Sequence, residues 1–137
     1  MQPLVLDTCA LIFLSQKTQL AAEAVEALQA TNQGGGFTYI SPISAWEIGM
    51  LASRGRLQLL IRPERWFANL FEAPGVRLAD MSPDVLIASS YLPGKPPNDP
   101  TDRIIAATAR DLGATLITRD RVLLQYGEQG HVKVVEC

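Results

Sequence analysis

The order of strand-like and helix-like segments along this chain predicts an α/β fold, a three-layer α/β/α sandwich around a mainly parallel sheet. Three observations carry that prediction. Short apolar or β-rich runs at Leu4–Leu6, Phe37–Ile40, Val76–Leu78, Ala114–Ile117 and Val132–Val135 recur between segments of helical periodicity. Leu4-Val5-Leu6 is apolar at every position, as a strand covered on both faces requires. The pairs Ser41-Pro42, Ser82-Pro83 and Asp99-Pro100 each place a capping side chain before a proline, the signature of a helix start. A length of 137 residues with a 47% hydrophobic fraction suits one domain spanning 1–137.

Taken in order, Leu4–Leu6 is a strand ending at Asp7, and Ala10–Leu14 begin a short helix. Thr18 can cap a second helix, in which Leu20, Ala21, Ala24, Val25 and Leu28 repeat at helical spacing until Gly34-Gly35-Gly36 breaks it. After the strand at Phe37–Ile40, the helix opened by Ser41-Pro42 carries Ile43, Trp46, Glu47, Met50 and Leu51 and ends near Gly55. Pro63 opens a helix with Trp66, Phe67, Leu70 and Phe71 as its apolar stripe. Val76–Leu78 is a strand, and Ser82-Pro83 starts a helix running to about Tyr91. Residues 93–100 hold four of the nine prolines and form a loop. Asp99-Pro100 then starts a helix through Ile104, Ile105, Ala106 and Ala109, with Gly113 just past its end. Strands at Ala114–Ile117 and Val132–Val135 complete the chain, with Thr118-Arg119-Asp120 following the first of them.

Composition excludes several classes. The two cysteines, Cys9 and Cys137, at opposite ends of the sequence do not look like a disulfide framework or a four-ligand zinc site, so a reducing, cytoplasmic setting is expected. The start of the chain has no secretory pattern, and no apolar run nears the roughly 20 residues that cross a bilayer. His131 is the single histidine and reads as a surface residue, which leaves no histidine-based metal site or general base. Cys9, with no histidine beside it, reads as a small buried residue and not as a nucleophile.

The acidic residues are more informative. In an open parallel sheet, ligands bind beyond the carboxyl ends of the strands. Asp7 and Asp120 fall there, although aspartate is also a common turn residue. Glu47 lies about two turns into a helix among apolar neighbours, where a carboxylate needs a partner such as Arg54, a solvated edge or a cation. Asp99 reads as a helix N-cap, and Asp102 stands three positions on, where it can serve both the helix start and a ligand. Several carboxylates brought together suit a hard divalent cation, Mg2+ or Mn2+, because without one they repel and some protonate.

The ordered set Leu6-Asp7-Thr8, Ser44-Ala45-Trp46-Glu47-Ile48, Asp99-Pro100-Thr101-Asp102-Arg103-Ile104-Ile105-Ala106-Ala107-Thr108-Ala109 and Leu116-Ile117-Thr118-Arg119-Asp120 resembles the PIN domain, and within it the VapC-type toxins of prokaryotic toxin–antitoxin pairs. The resemblance implies a divalent-metal-dependent endoribonuclease that hydrolyses RNA phosphodiesters with a metal-activated water. Carried over by position, it implies Asp7, Glu47, Asp102 and Asp120 as catalytic metal ligands, with Thr8, Thr118 and Asp99 in support. It implies as partners an RNA substrate, a small cognate antitoxin and a second copy in a homodimer. Cys9 and Pro97-Asn98 depart from the residues frequent at those positions in the family.

The net charge of −2 includes −4 from those four carboxylates, so the rest of the chain carries +2. Arginines cluster at 54, 56, 62 and 65 and again at 103, 110, 119 and 121. Arg103 and Arg119 adjoin proposed ligands and are candidates for holding RNA phosphates. Trp46, Trp66, Phe67 and Phe71 could stack on bases, but their helical spacing reads as core or subunit contact. Two other readings compete. A phosphotransfer enzyme of the haloacid-dehalogenase type, with Asp7 as nucleophile, wants a second aspartate where Cys9 stands. A non-catalytic PIN-fold module that binds RNA or protein would be favoured by loss of one acid, and all four are present.

Overall fold

Five strands line up side by side in a computed structural model that describes residues 2–16 and 19–137. They are β1 (Leu4–Leu6), β2 (Thr38–Ile40), β3 (Val76–Leu78), β4 (Thr115–Thr118) and β5 (Lys133–Glu136), in the order β3-β2-β1-β4-β5. Every pairing is parallel, with Leu6 opposite Ile40 on one side and Ile117 on the other. The helices among the described residues are α1 (Thr8–Ser15), α2 (Ala22–Gln33), α3 (Pro42–Ser53), α4 (Pro63–Asn69), α5 (Pro83–Ala88), α6 (Pro100–Leu112) and α7 (Arg121–Glu128), and a 3-10 turn at Leu70–Glu72 follows α4.

Alternation along the strands divides the core in two. Leu4, Leu6, Ile40 and Ile117 face one side, where they meet Ala10 and Leu11 of α1, Ala24 of α2, and Trp66 and Phe67 of α4. Val5 and Leu116 face the other, against Ile105, Ala106 and Ala109 of α6 and Leu123 and Tyr126 of α7. The result is the α/β/α sandwich expected from the sequence. Complete burial of a side chain such as Leu116 stabilises by about 1.5–3 kcal/mol, so the central strands hold both helical layers to one sheet.

The helix starts follow the Ser-Pro and Asp-Pro rule. The Ser41 hydroxyl accepts from the Ile43 N–H, and the Ser82 hydroxyl from the Val85 N–H, each at 3.2 Å. Asp99 Oδ1 accepts from the amides of Thr101 and Asp102 at 2.8 and 3.1 Å. Gly113 ends α6 at φ 61°, a left-handed conformation that glycine adopts without penalty.

Several expectations need correction. Thr18 lies outside the described residues; α2 begins later, at Ala22, with Ala21 as an N-cap that supplies no side-chain hydrogen bond. The fourth strand runs Thr115–Thr118, one residue beyond the apolar run, because Thr118 pairs with Glu136 in the sheet register. The helix after Ser82 stops at Ala88, before the exposed Tyr91. Helix α7 is absent from the sequence reading, yet Leu123 and Tyr126 on it are fully buried.

Helix α7 packs so closely on β5 that Gly127 has no room for a side chain. A Cβ there would stand 2.2 Å from Cγ2 and 2.8 Å from Cγ1 of Val134. Gly127→Ala should therefore lower the urea unfolding free energy. Helix propensity returns at most about 1 kcal/mol, whereas overpacking costs about 1–3 kcal/mol. In a Val134→Ala background, which removes both Cγ atoms, the loss on Gly127→Ala should shrink.

Candidate active site

The strand order places a reversal at the centre of the sheet. From β1 the chain proceeds outward through β2 to β3, and later resumes on the other side of β1 with β4 and β5. The carboxyl ends of β1 and β4 thus flank a topological switch point, where open α/β sheets form their binding crevice. Asp7 follows β1 directly, and Asp120 lies two residues past β4.

Asp7 is 3% exposed and has both oxygens engaged. Its Oδ1 accepts from the Ala10 N–H at 2.8 Å, which caps α1, and its Oδ2 accepts from the Thr118 hydroxyl. Thr118 Oγ1 in turn accepts from the Asp120 N–H at 3.0 Å. Asp120 Oδ1 caps α7 through the amides of Val122 and Leu123 at 2.9 and 3.0 Å. Across the crevice, the Thr8 hydroxyl donates to Glu47 Oε1 and lies 2.9 Å from the fully buried Ser44 hydroxyl. Asp102 sits in the first turn of α6, with its own amide bound by the Asp99 cap.

Thr8, Thr118 and Asp99 thus stand in contact with the parts of the chain they were expected to support. Sequence reasoning does not single out Ser44. Its signal is its place one helical turn before Glu47, on the same face of α3.

Burial and mutual repulsion set the electrostatics. Burial pushes the Asp7 carboxyl up from 3.8 to about 6; Thr118 and Ala10 pull it back, while Asp120 and Glu47 push it further. Burial also raises Asp102 from 3.8 to about 7, reinforced by Asp120, Asp99, Glu47 and Asp7. Glu47 is raised by burial and by Asp99, against the lowering bond from Thr8. Among the described residues the one ion pair is the exposed Arg62–Glu64, so no basic side chain neutralises this group and Glu47 has no arginine partner.

Such a donor set is all hard oxygen. Among the described residues no three acidic, histidine or cysteine side chains stand close enough together to hold an ion between them. A cation that keeps several of its waters, as magnesium does, needs only one or two carboxylates directly. Asp7, Glu47, Asp102 and Asp120 fit such an ion by their oxygen chemistry, and among the described residues no basic side chain pairs with them.

The neighbouring side chains differ from expectation. Arg103 donates to the carbonyls of Ser89 and Pro97 at 3.0 and 2.7 Å and so pins the proline-rich loop. Arg119 donates through Nε and Nη2 to the main-chain oxygen of Cys137 at 3.0 and 2.7 Å and lies over the Phe13 ring. Both guanidinium groups are thus occupied by backbone oxygens. Cys9 is exposed rather than buried, because α1 turns it away from the core that takes Ala10 and Leu11. Partial desolvation and the nearby carboxylates raise its thiol to about 11, which keeps it protonated at neutral pH. Of the four aromatics expected in core or subunit contact, Trp66, Phe67 and Phe71 pack on the core, and Trp46 is 58% exposed on this chain.

This combination, a parallel sheet with a buried carboxylate group at its switch point, defines an acidic-site α/β domain. The chain belongs to the PIN domain family, whose sequence model matches residues 4–129. It is 39% identical over 84 residues to Ribonuclease VapC22 of Mycobacterium tuberculosis, a match spanning 61% of this chain and 63% of that relative. The fold is similar to VapBC2 from Rickettsia felis bound to a promoter DNA fragment, with a TM-score of 0.69 and 15% identity over 98% of each chain. It is also similar to DNA-bound VapBC from Salmonella typhimurium, with a TM-score of 0.67 and 20% identity over 99% of this chain and 98% of that one.

Two outcomes follow from the geometry. Thr118→Val removes the hydroxyl from Asp7 and leaves the Asp120 amide without its acceptor, so it should cost about 1–3 kcal/mol in urea unfolding, whereas Thr118→Ser should cost little. The raised acids also fix a pH dependence. A carboxyl whose folded pKa exceeds its unfolded value contributes stability below the unfolded pKa and loses it as pH rises through the folded one. In chelator, stability should therefore fall between pH 4 and about 7, the window set by Asp7 and Asp102. Millimolar Mg2+ or Mn2+ should restore melting temperature at pH 7.5 more than at pH 4.5.

Proposed function

We propose that this protein is a divalent-metal-dependent endoribonuclease and the toxin of a toxin–antitoxin pair. The observation that carries the reading is the group of carboxylates, Asp7 buried and the others half-buried, without a basic partner among the described residues, at the switch point of a PIN domain. The similarity to Ribonuclease VapC22 supports RNA as the substrate class. Mg2+ or Mn2+ held by Asp7, Glu47, Asp102 and Asp120 would supply activation of a water and neutralisation of charge developing on the phosphate. The chain's own residues do the positioning. Thr118 and the Ala10 amide hold Asp7, Thr8 with Ser44 behind it holds Glu47, and the helix caps hold Asp120 and orient the turn that bears Asp102.

The partners belong to the same proposal. The similar VapBC structures are complexes bound to DNA, which supports a small antitoxin as the partner that restrains this chain. A homodimer and a cytoplasmic setting complete the reading. No helix among the described residues is long and apolar enough to cross a membrane.

The test is cleavage of a mixed RNA pool by the purified protein in Mg2+, Mn2+ or chelator, beside Asp7→Asn. Cleavage should require the cation and should fall below detection in the variant. The substituted side chain keeps an oxygen for the Ala10 amide and offers its own N–H to the Thr118 oxygen, so the variant should melt in chelator no lower than the parent. RNA left intact under every metal condition, with no divalent cation bound, would overturn the reading in favour of a PIN-fold binding module.

A further inference from the structure

Beside the acidic crevice lies a second feature that the proposed chemistry does not use. A cavity of about 320 Å³ opens between α3 and α6, with walls from Ile43, Trp46, Met50 and Ile104 and with Glu47 and Asp99 also in its lining. Glu47 therefore belongs both to this cavity and to the acid group. Trp46 remains 58% exposed, although Ile43, Glu47 and Met50 beside it on α3 are half-buried. We propose that this cavity holds an unpaired nucleobase of the RNA strand, next to the phosphate that is cut, stacked on the Trp46 indole. The inference rests on the ribonuclease reading and specifies how the substrate is gripped.

Three features favour a base over other occupants. The volume lies at the lower end of small-molecule sites and matches a single planar ring system. A half-exposed indole offers a stacking face of the kind on which single-stranded RNA bases are held. The charge points the same way. Two carboxylates line the cavity, which disfavours a phosphate there, while a base edge carries N–H donors. Asp99 can serve that edge: its Oδ1 is taken by the helix cap, and its Oδ2 makes no hydrogen bond among the described residues. Phosphate would then go to the cation and base to the cavity, two sites joined at Glu47.

The experiment compares the parent, Trp46→Phe, Trp46→Ala and Asp99→Asn on an RNA pool in Mg2+ or Mn2+, with cut ends mapped by sequencing and self-association followed by light scattering. With the stacking face removed, Trp46→Ala should raise KM about tenfold, change kcat less, and flatten base preference beside the cut. Trp46→Phe should retain that preference. Asp99→Asn keeps a capping side chain and should alter which base is preferred. The proposal is overturned if Trp46→Ala cuts with the parent's KM and preference, or if it alters only self-association. In those cases the parent still cuts RNA and the ribonuclease reading stands. If the parent cuts no RNA with either ion, both fall together.

Discussion

One hydroxyl group joins the parts of this structure that matter most. The parallel register sets Leu6 against Ile117, and the Asp7 N–H donates to the Ile117 carbonyl at 3.1 Å. That register carries Asp7 beside Thr118 at the ends of two strands separated by more than one hundred residues of chain. The Thr118 hydroxyl then donates to Asp7 and accepts from Asp120, so a single side chain fixes the exits of β1 and β4 and the entry to α7. A slip of one residue between β1 and β4 would turn every side chain of a strand to the opposite face. It would break both core layers at once, so the packing of Val5 and Leu116 on one face and Leu6 and Ile117 on the other protects the site's geometry.

The site also shows which electrostatic effect prevails. Asp7, Asp99 and Asp120 are helix N-caps and Asp102 lies in a first turn, so all four stand where the helix dipole favours negative charge. That effect is worth about 0.3–1 kcal/mol each, up to about 2 in partly buried geometry. A pKa rise of one unit corresponds to about 1.4 kcal/mol against the charged form. At Asp7, with a pKa of about 6, burial and repulsion outweigh the hydrogen bonds from Thr118 and Ala10, and at Asp102, about 7, burial and repulsion act in the same direction. The helix ends orient these acids without neutralising them. That imbalance is the physical basis for proposing a divalent cation here, because the chain provides no arginine or lysine within ion-pair distance among its described residues.

Much of this is legible in the sequence where local chemistry decides. Asp-Pro and Ser-Pro pairs specify a helix start through their own backbone and side-chain geometry, and α3, α5 and α6 begin as read. Apolar runs specify buried strands. What stays hidden depends on tertiary contact. Helix α7 has only Val122, Leu123, Leu124 and Tyr126 as apolar signal over eight residues, and its burial comes from β5 and α6 packing on it. Arg103 and Arg119 look like phosphate ligands because they adjoin acids in sequence, but neighbours along a helix or turn point apart, and their guanidinium groups reach distant carbonyls instead. Trp46 reads as core or subunit contact because it shares a helical stripe with Ile43 and Met50. The stripe lines a cavity, and the indole forms a wall of it.

The occupation of those two arginines bears on how a polyanion could approach the acid group. Phosphate attraction normally comes from lysine and arginine, with counterion release as the driving term. Here the guanidinium groups of Arg103 and Arg119 hold the proline-rich loop and the main chain at Cys137, Arg121 beside Asp120 is exposed, and Arg54, Arg56, Arg62 and Arg65 are exposed on a different part of the chain, from α3 to α4. Bare, the crevice would repel a phosphodiester. Under the proposed function, cation binding therefore does two things with one charge: it relieves the repulsion among Asp7, Glu47, Asp102 and Asp120, and it makes the crevice attractive to phosphate. Contacts to the base in the Trp46 cavity would then add to whatever grip an exposed arginine such as Arg121 provides.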